Sequence, residues 1–222
     1  MQLYHVLNRG TEKRNIFMDD RDRARFIHDL YEFNDVTPAG NSYKLFQKNM
    51  DFGSPYFQQE PREKIVDLHG WILMDNHYHL ILSEKKEGGL VLFMRKINIG
   101  YAKYFNERYK RSGTLFQGKT KKILLTREAH LQYILHYVHL NALDYLPEAR
   151  NWRTGKIKNY HKALQHLERY RWSSYLDYCN ISNFPSIITT GIFKRIHPDL
   201  KKETARYLRD MATERTDYSA FE

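Results

Sequence analysis

The chain has few of the residues that impose covalent or backbone constraint. It carries one cysteine, Cys179, among 222 residues. A single thiol cannot close an internal disulfide, so a reducing, cytoplasmic setting is expected. With 6 prolines and 11 glycines, the composition excludes collagen-like and Pro/Gly low-complexity chains. No apolar run reaches the ~18 residues that a membrane helix needs, so no membrane span is expected. The first residues, Met1-Gln2-Leu3-Tyr4-His5, do not set a basic region ahead of an apolar stretch, so no secretory signal is expected either. No Walker pattern and no dinucleotide glycine pattern occurs, which argues against an ATP-driven or redox enzyme. Acid is also in deficit. Asp plus Glu total 26 against 36 Lys plus Arg, a formal charge of +10 and a pI near 9.5. That balance favours a polyanionic partner, nucleic acid first and an anionic membrane surface second.

Aromatic residues, in contrast, are plentiful: 17 Tyr, 12 Phe and 3 Trp. A solvated tail does not carry so many, so a folded core is expected, as one domain or one domain with an appendage. Tyr4 to Leu7 reads as a strand ended by Asn8-Arg9-Gly10. Asp19 or Asp20 caps a helix to about residue 34, with Phe26, Ile27, Leu30 and Tyr31 on one face. Residues 35–64 hold five Pro and Gly residues, Pro38, Gly40, Gly53, Pro55 and Pro61, and read as a long connection. Ile65 to Met74 and His77 to Leu82 are strands that pair through the turn Asp75-Asn76. A helix follows Gly88-Gly89, its apolar stripe running Leu90, Phe93, Met94, Ile97, Tyr101, Tyr104 and Phe105. Thr114 to Leu125 reads as a strand. Thr126 then caps a helix with Leu131, Ile134, Leu135, Val138 and Ala142 on one face. The order β-α-β-β-α-β-α predicts an α+β, ferredoxin-like fold with helices on one face of an antiparallel sheet. The other face needs cover or is a binding surface. Residues 1–148 are expected to form this domain, and residues 149–222 a linker and a small helical appendage.

Three local patterns bear on chemistry. In Asn76-His77-Tyr78-His79-Leu80, strand alternation turns His77 and His79 to one face and Tyr78 to the other. Two such imidazoles can bind one metal ion if a third ligand arrives from elsewhere, or they can be backbone-bonded histidines of a core. In the last helix of the domain, Tyr137 and Asn141 form an i, i+4 pair on the flank of the apolar stripe. There Tyr137 is either a boundary residue or a group that reaches substrate, while Tyr133 is expected to face solvent. Segment 95–122 carries Arg95, Lys96, Lys103, Arg108, Lys110, Arg111, Lys119, Lys121 and Lys122 against one acid, Glu107. Tyr101, Tyr104, Phe105, Tyr109 and Phe116 are interleaved. Cations neutralise phosphates and aromatic faces stack on unpaired bases, although Tyr101 and Phe105 are expected in the core.

Taken together, these residues resemble the single-tyrosine HUH transposases, most closely the REP-associated tyrosine transposases. The resemblance runs through Tyr4-His5-Val6-Leu7-Asn8-Arg9-Gly10, Ile16-Phe17 and Met74-Asp75-Asn76-His77-Tyr78-His79-Leu80. It continues in Arg111-Ser112-Gly113-Thr114-Leu115-Phe116-Gln117-Gly118 and Tyr137-Val138-His139-Leu140-Asn141, with a later block at Tyr170-Arg171-Trp172-Ser173-Ser174-Tyr175. It departs in three places. Tyr78 stands where the family usually has a plainly hydrophobic residue, and Ala142 follows the Asn where Pro is usual. Residues 35–64 look like an insertion.

The resemblance implies a metal-dependent endonuclease and strand-transferase of single-stranded DNA, acting at a hairpin. His77 and His79 would bind Mg²⁺ or Mn²⁺, with the Asn141 amide oxygen as third ligand. Tyr137 would be the nucleophile and form a 5′-phosphotyrosine link. Arg9 and the cations of segment 95–122 are the candidate DNA contacts. Single-stranded or hairpin DNA is the implied partner and the bacterial nucleoid the implied setting, with monomer and homodimer both open. Two alternatives stand beside this one: a domesticated hairpin DNA- or RNA-binding protein that does not cut, and a metal nuclease that uses water.

Overall fold

A computed structural model describes residues 1–37 and 62–213. Most of the 35–64 insertion and the last residues of the C-terminal segment therefore lie outside the described residues. Four strands form one sheet: β1 (Leu3–Arg9), β2 (Val66–Met74), β3 (His77–Glu84) and β4 (Lys121–Leu124). Their order is β2-β3-β1-β4, and every neighbouring pair is antiparallel. Helix α1 (Asp20–Glu32) joins β1 to β2, and α2 (Gly89–Arg108) joins β3 to β4. Each helix carries the chain past a neighbouring strand. This is the expected ferredoxin-like α+β arrangement.

The first face of the sheet is dry. Val6, Trp71, Leu73, Tyr78, Leu80 and Leu82 meet Phe26, Ile27 and Leu30 of α1 and Phe93, Ile97 and Tyr101 of α2 in one buried cluster. Asp19 caps α1 as expected, its carboxylate accepting from the Asp22 backbone N–H at 3.0 Å. Tyr78 is fully buried against Phe26, with ring centroids 4.9 Å apart, and its hydroxyl donates to Asn98 Oδ1 at 2.7 Å. A buried phenol needs such a partner, and Asn98 explains how a tyrosine fills the position where a plain hydrophobe is usual.

The second face is covered along half its width. Helix α3 (Glu128–Leu140) lays Ile134, Leu135 and Val138 on Ile72, Met74 and Ile81. It comes close because Gly70 lacks a side chain: a Cβ there would stand 2.9 Å from both Leu135 Cδ1 and Ile81 Cδ1. The C-terminal segment completes this second core. It contains α4 (Tyr160–Arg169), the short α5 (Tyr175–Tyr178), α6 (Gly191–Ile196) and α7 (Leu200–Ala212). Ala149, Trp152, Ala163, Leu167, Tyr175, Phe193, Leu208 and Met211 belong to the same cluster as Ile72 and Leu135, so the two parts share one apolar interior.

Residues 170–174 run along the outer edge of β2. Leu73 N–H donates to the Trp172 carbonyl and Ser174 N–H donates to the Trp71 carbonyl, at 2.9 and 3.0 Å. Ile72 and Ser173 form an antiparallel bridge. The block Tyr170–Tyr175 thus covers a sheet edge that would otherwise expose unpaired backbone groups.

Two expectations are corrected. The fourth strand spans four residues, where Thr114 to Leu125 was expected. Gly118 takes positive φ (65°) and breaks the extended run. Leu115 is buried in the first core, and Phe116 makes only an isolated bridge to Gly10. The N-cap of α3 is Arg127, not Thr126, and no side chain caps it.

Candidate functional site

The site grows from strand register. β1 and β3 pair Arg9 with His77, Leu7 with His79 and His5 with Ile81. Alternation then puts His5, His77 and His79 on the second face, diagonal to one another. His5 Nε2 and His79 Nδ1 lie 2.8 Å apart, and the His77 and His79 ring centroids are 5.0 Å apart. The two-residue turn that aims His77 is tied down on both sides. Gly10 N–H donates to the Asn76 carbonyl, and Ile16 and Phe17 N–H donate to the Asp75 carbonyl. The Arg23 guanidinium holds the Asp75 carboxylate at 2.5 Å.

Tautomers follow from the network. Asn76 Nδ2 donates to the Lys13 carbonyl, so its Oδ1 is the atom that meets His77 Nδ1 at 2.6 Å. An amide oxygen only accepts, so His77 carries its proton on Nδ1 and leaves a lone pair on Nε2. His79 has the same choice: if its Nδ1–H donates to His5, its Nε2 is unprotonated. Metal-binding histidines are usually oriented by such a hydrogen bond from the other ring nitrogen. Burial lowers the pKa of His5 to about 4 and of His77 to about 4. It takes His79 well below the ordinary imidazole value, helped by the neighbouring His5 and His77. All three are neutral at pH 7, the form that ligates a cation. The donor set of His77 and His79 therefore fits a divalent ion.

Tyr137 arrives from α3. Its ring stands edge-on to His79 and to His5, each with centroids 5.9 Å apart, and packs on Trp152 at 5.7 Å. The phenol borders a cleft of ≈ 430 Å³ on the uncovered half of the second face, lined by His5, His79, Lys121, Tyr133, Tyr137 and Arg153 among others. The predicted pair of strand histidines and the predicted helix tyrosine thus come together.

Asn141 does not join them. It is fully buried at the end of α3, where its Nδ2 donates to the Tyr137 carbonyl at 2.7 Å. Its Oδ1 accepts from Arg153 Nη2 at 2.6 Å. Arg153 is itself fixed by Asp144 in a two-pronged contact of 2.6 and 3.0 Å and lies over Trp152, 4.3 Å from the ring centroid. The amide oxygen expected at a metal is occupied by a guanidinium.

Sequence reading missed two residues, His5 and Arg153. His5 was detectable, because alternation in β1 matches it to the histidine face once β1 and β3 are paired. Arg153 lies 12 residues past Asn141 in a one-turn helix (Trp152–Thr154) and had no local signal. Burial works against its charge, but Asp144 and the Tyr137 phenol more than offset that and raise its pKa. One expectation is corrected: Tyr133 does not face solvent. It is half-buried, lines the cleft and packs on Tyr137 and Tyr207 with centroids 6.4 Å from each. The ring of Tyr207 from the C-terminal segment captured a side chain that helical geometry placed outside.

The predicted cations scatter. Lys121 lines the cleft, and Arg9, at the end of β1, is close enough to lower the pKa of His77. Lys119 and Lys122 are exposed on or beside β4. Helix α2 packs on the first face, so Arg95, Lys96, Lys103 and Arg108 are across the sheet from the cleft. Lys110 and Arg111 follow that helix. Arg108 is committed to Asp19 and to buried Asp22, Lys96 donates to the Asp35 carbonyl, and Arg111 donates to Asn106 Oδ1.

No family model matches this sequence, and no curated protein does. Among solved structures, this chain is similar to that of a REP-associated tyrosine transposase bound to a REP hairpin. The TM-score is 0.46 at 10% identity, over 85% of this chain and 84% of the other. Among the described residues, no helix is long and apolar enough to cross a membrane.

Proposed function

We propose that the protein is a metal-dependent nicking and joining enzyme for single-stranded DNA, with Tyr137 as nucleophile. The observation that supports this reading is the meeting of His79 of β3 with Tyr137 of α3 at one cleft, with His77 next to His79 on the same strand face. The site is assembled within one chain, so the reading needs no second copy.

His77 and His79 would hold a divalent cation, Mg²⁺ or Mn²⁺. A cation there withdraws charge from the scissile phosphate and fixes its orientation. The protein's own groups do the rest. A phenol has an ordinary pKa of ~10 and is a weak nucleophile while protonated. Arg153, beside the phenol, stabilises negative charge on its oxygen as the proton leaves. The new bond joins the tyrosine oxygen to phosphorus, the bond to the 3′ oxygen breaks, and that oxygen takes up a proton. The 5′-phosphotyrosine link keeps the bond energy, so a DNA 3′-hydroxyl can reverse the step and join strands. Trp152, Tyr133 and the apolar wall of Ile123 and Leu125 limit water, which would otherwise hydrolyse the link. Lys121 and Arg9 are placed for phosphates. Asn141 acts through Arg153 in this arrangement, and becomes a ligand only if that contact opens.

The test is trapping. Full-length protein is incubated with end-labelled hairpin DNA carrying a single-stranded flank, with Mn²⁺, and then denatured. The expected result is a covalent adduct that Tyr137→Phe abolishes, with hairpin affinity changed less than about twofold. Cleavage that survives Tyr137→Phe would assign the chemistry to water. The Asn141–Arg153 contact favours one second reading, a hairpin-binding protein that does not cut. Tight binding with no cleavage in Mg²⁺ or Mn²⁺ would establish it.

A further inference from the structure

A second group of metal-type ligands lies behind Tyr137, on the tail side of α3. His136 is the residue before the tyrosine and points the other way, into the tail. His197 follows α6, and Glu203 is on the first turn of α7. His136 and His197 are 1% and 5% exposed, and their ring centroids are 4.9 Å apart. Glu203 Oε2 lies 2.6 Å from His197 Nδ1 and 3.7 Å from His136 Nε2. One ligand atom from each residue falls within 4.8 Å of the others.

Hydrogen bonding alone leaves this cluster incomplete. His136 Nδ1 is paired with Thr204 Oγ1 at 3.2 Å. Its Nε2 is buried with no hydrogen-bond partner, because 3.7 Å to Glu203 is too long. If Nδ1 holds the proton, a lone pair on Nε2 faces a carboxylate. If Nε2 holds it, a buried donor goes unused. Either state carries the penalty of an unsatisfied buried polar group. A cation between the three ligands resolves both. Two imidazoles and one carboxylate are a donor set for a borderline-soft, tetrahedral ion, with Thr204 orienting one imidazole.

We propose that His136, His197 and Glu203 form a second metal site, of the zinc class, that staples α6 and α7 to α3 directly behind Tyr137. The site is separate from the His77–His79 pair, and it does not depend on the function proposed above. It ties the tail to the helix that carries the tyrosine, so its occupancy fixes the angle at which that helix meets the sheet.

The test uses metal-free, full-length protein in which the first site is removed by His77→Ala and His79→Ala. Titration with Zn²⁺ is followed by calorimetry, and with Co²⁺ by the visible bands of a four-coordinate ion. The expected result is one ion per chain and a Tm rise of about 5–10 °C at a hundredfold excess over Kd. Adding Glu203→Gln and His197→Gln should abolish both, with far-ultraviolet circular dichroism unchanged. If the His77→Ala, His79→Ala chain is not folded, the same variants in the otherwise native chain should lower the bound metal by one equivalent. The proposal fails if Zn²⁺ at 100 µM does not bind the folded first-site variant. It fails equally if Glu203→Gln with His197→Gln leaves stoichiometry and Tm shift intact.

Discussion

The two faces of one sheet are built from alternate residues of the same strands, yet they do opposite things. On the first face, Tyr78, Leu80 and Leu82 vanish under α1 and α2. On the second, His79 lines a cleft that α3 and the tail leave half open, with His77 beside it. The difference is cover. Two crossover helices seal the first face over β2, β3 and most of β1, whereas α3 seals only the β2–β3 half of the second. Polar groups persist on β1 and β3 where cover stops, because hydrogen bonding between the imidazoles offsets much of the cost of burying them.

Several changes would break or sharpen this contrast. The largest effect on stability should come from the dry face. Phe26→Ala, which opens a cavity beside Tyr78 and Tyr101, should cost ~3–5 kcal/mol in urea unfolding. Tyr137→Phe should cost under about 1 kcal/mol in the same assay. A similar cost for both would mean that the cleft is core.

Acid should weaken the histidine face. His5 and His77 titrate at about 4 when folded against an unfolded value of ~6.5. The unfolded chain therefore binds more protons between those values, and stability falls as pH drops through that window. For His5 alone the loss is of order 3 kcal/mol. It is complete below the folded pKa and absent above the unfolded one. Replacing His5 by Gln should flatten the unfolding profile between pH 6.5 and pH 4, and an unchanged profile would show that another group carries the dependence.

His5→Ala should also weaken divalent-ion binding at His77 and His79 by about 10–100-fold, because His79 loses the partner that orients it. Isothermal titration with Mn²⁺ reads this directly, and unaltered affinity would remove His5 from the site.

The smallest effect concerns DNA. Lys121→Met should reduce the salt-dependence slope of hairpin binding by about 1, while Lys103→Met, across the sheet, should leave it unchanged. Equal changes would mean that DNA wraps both faces.

Local patterning revealed much of this. Alternation in β3 set His77 and His79 apart from Tyr78, helical periodicity put Phe93, Ile97 and Tyr101 in the core, and Asp19 announced the start of α1. Turn chemistry was less readable, because a glycine at positive φ, Gly118, shortened β4 without altering the hydrophobic pattern. Tyr133 was misplaced because helical geometry refers to one buried face, and the tail supplied a second. Arg153 had no signal at all, since its contacts to Asn141 and Asp144 depend on a one-turn helix that no periodicity marks.

The sequence by itself determined the order of strands and helices and the face on which the histidines stand, because both follow from periods of two and 3.6 residues along the chain. Only the tertiary structure decided that His5 would bond His79, that Arg153 would take the Asn141 oxygen, and that His136 would meet His197 and Glu203. Those partners are set by how separate elements cross and pack, and no local period encodes a distance between them.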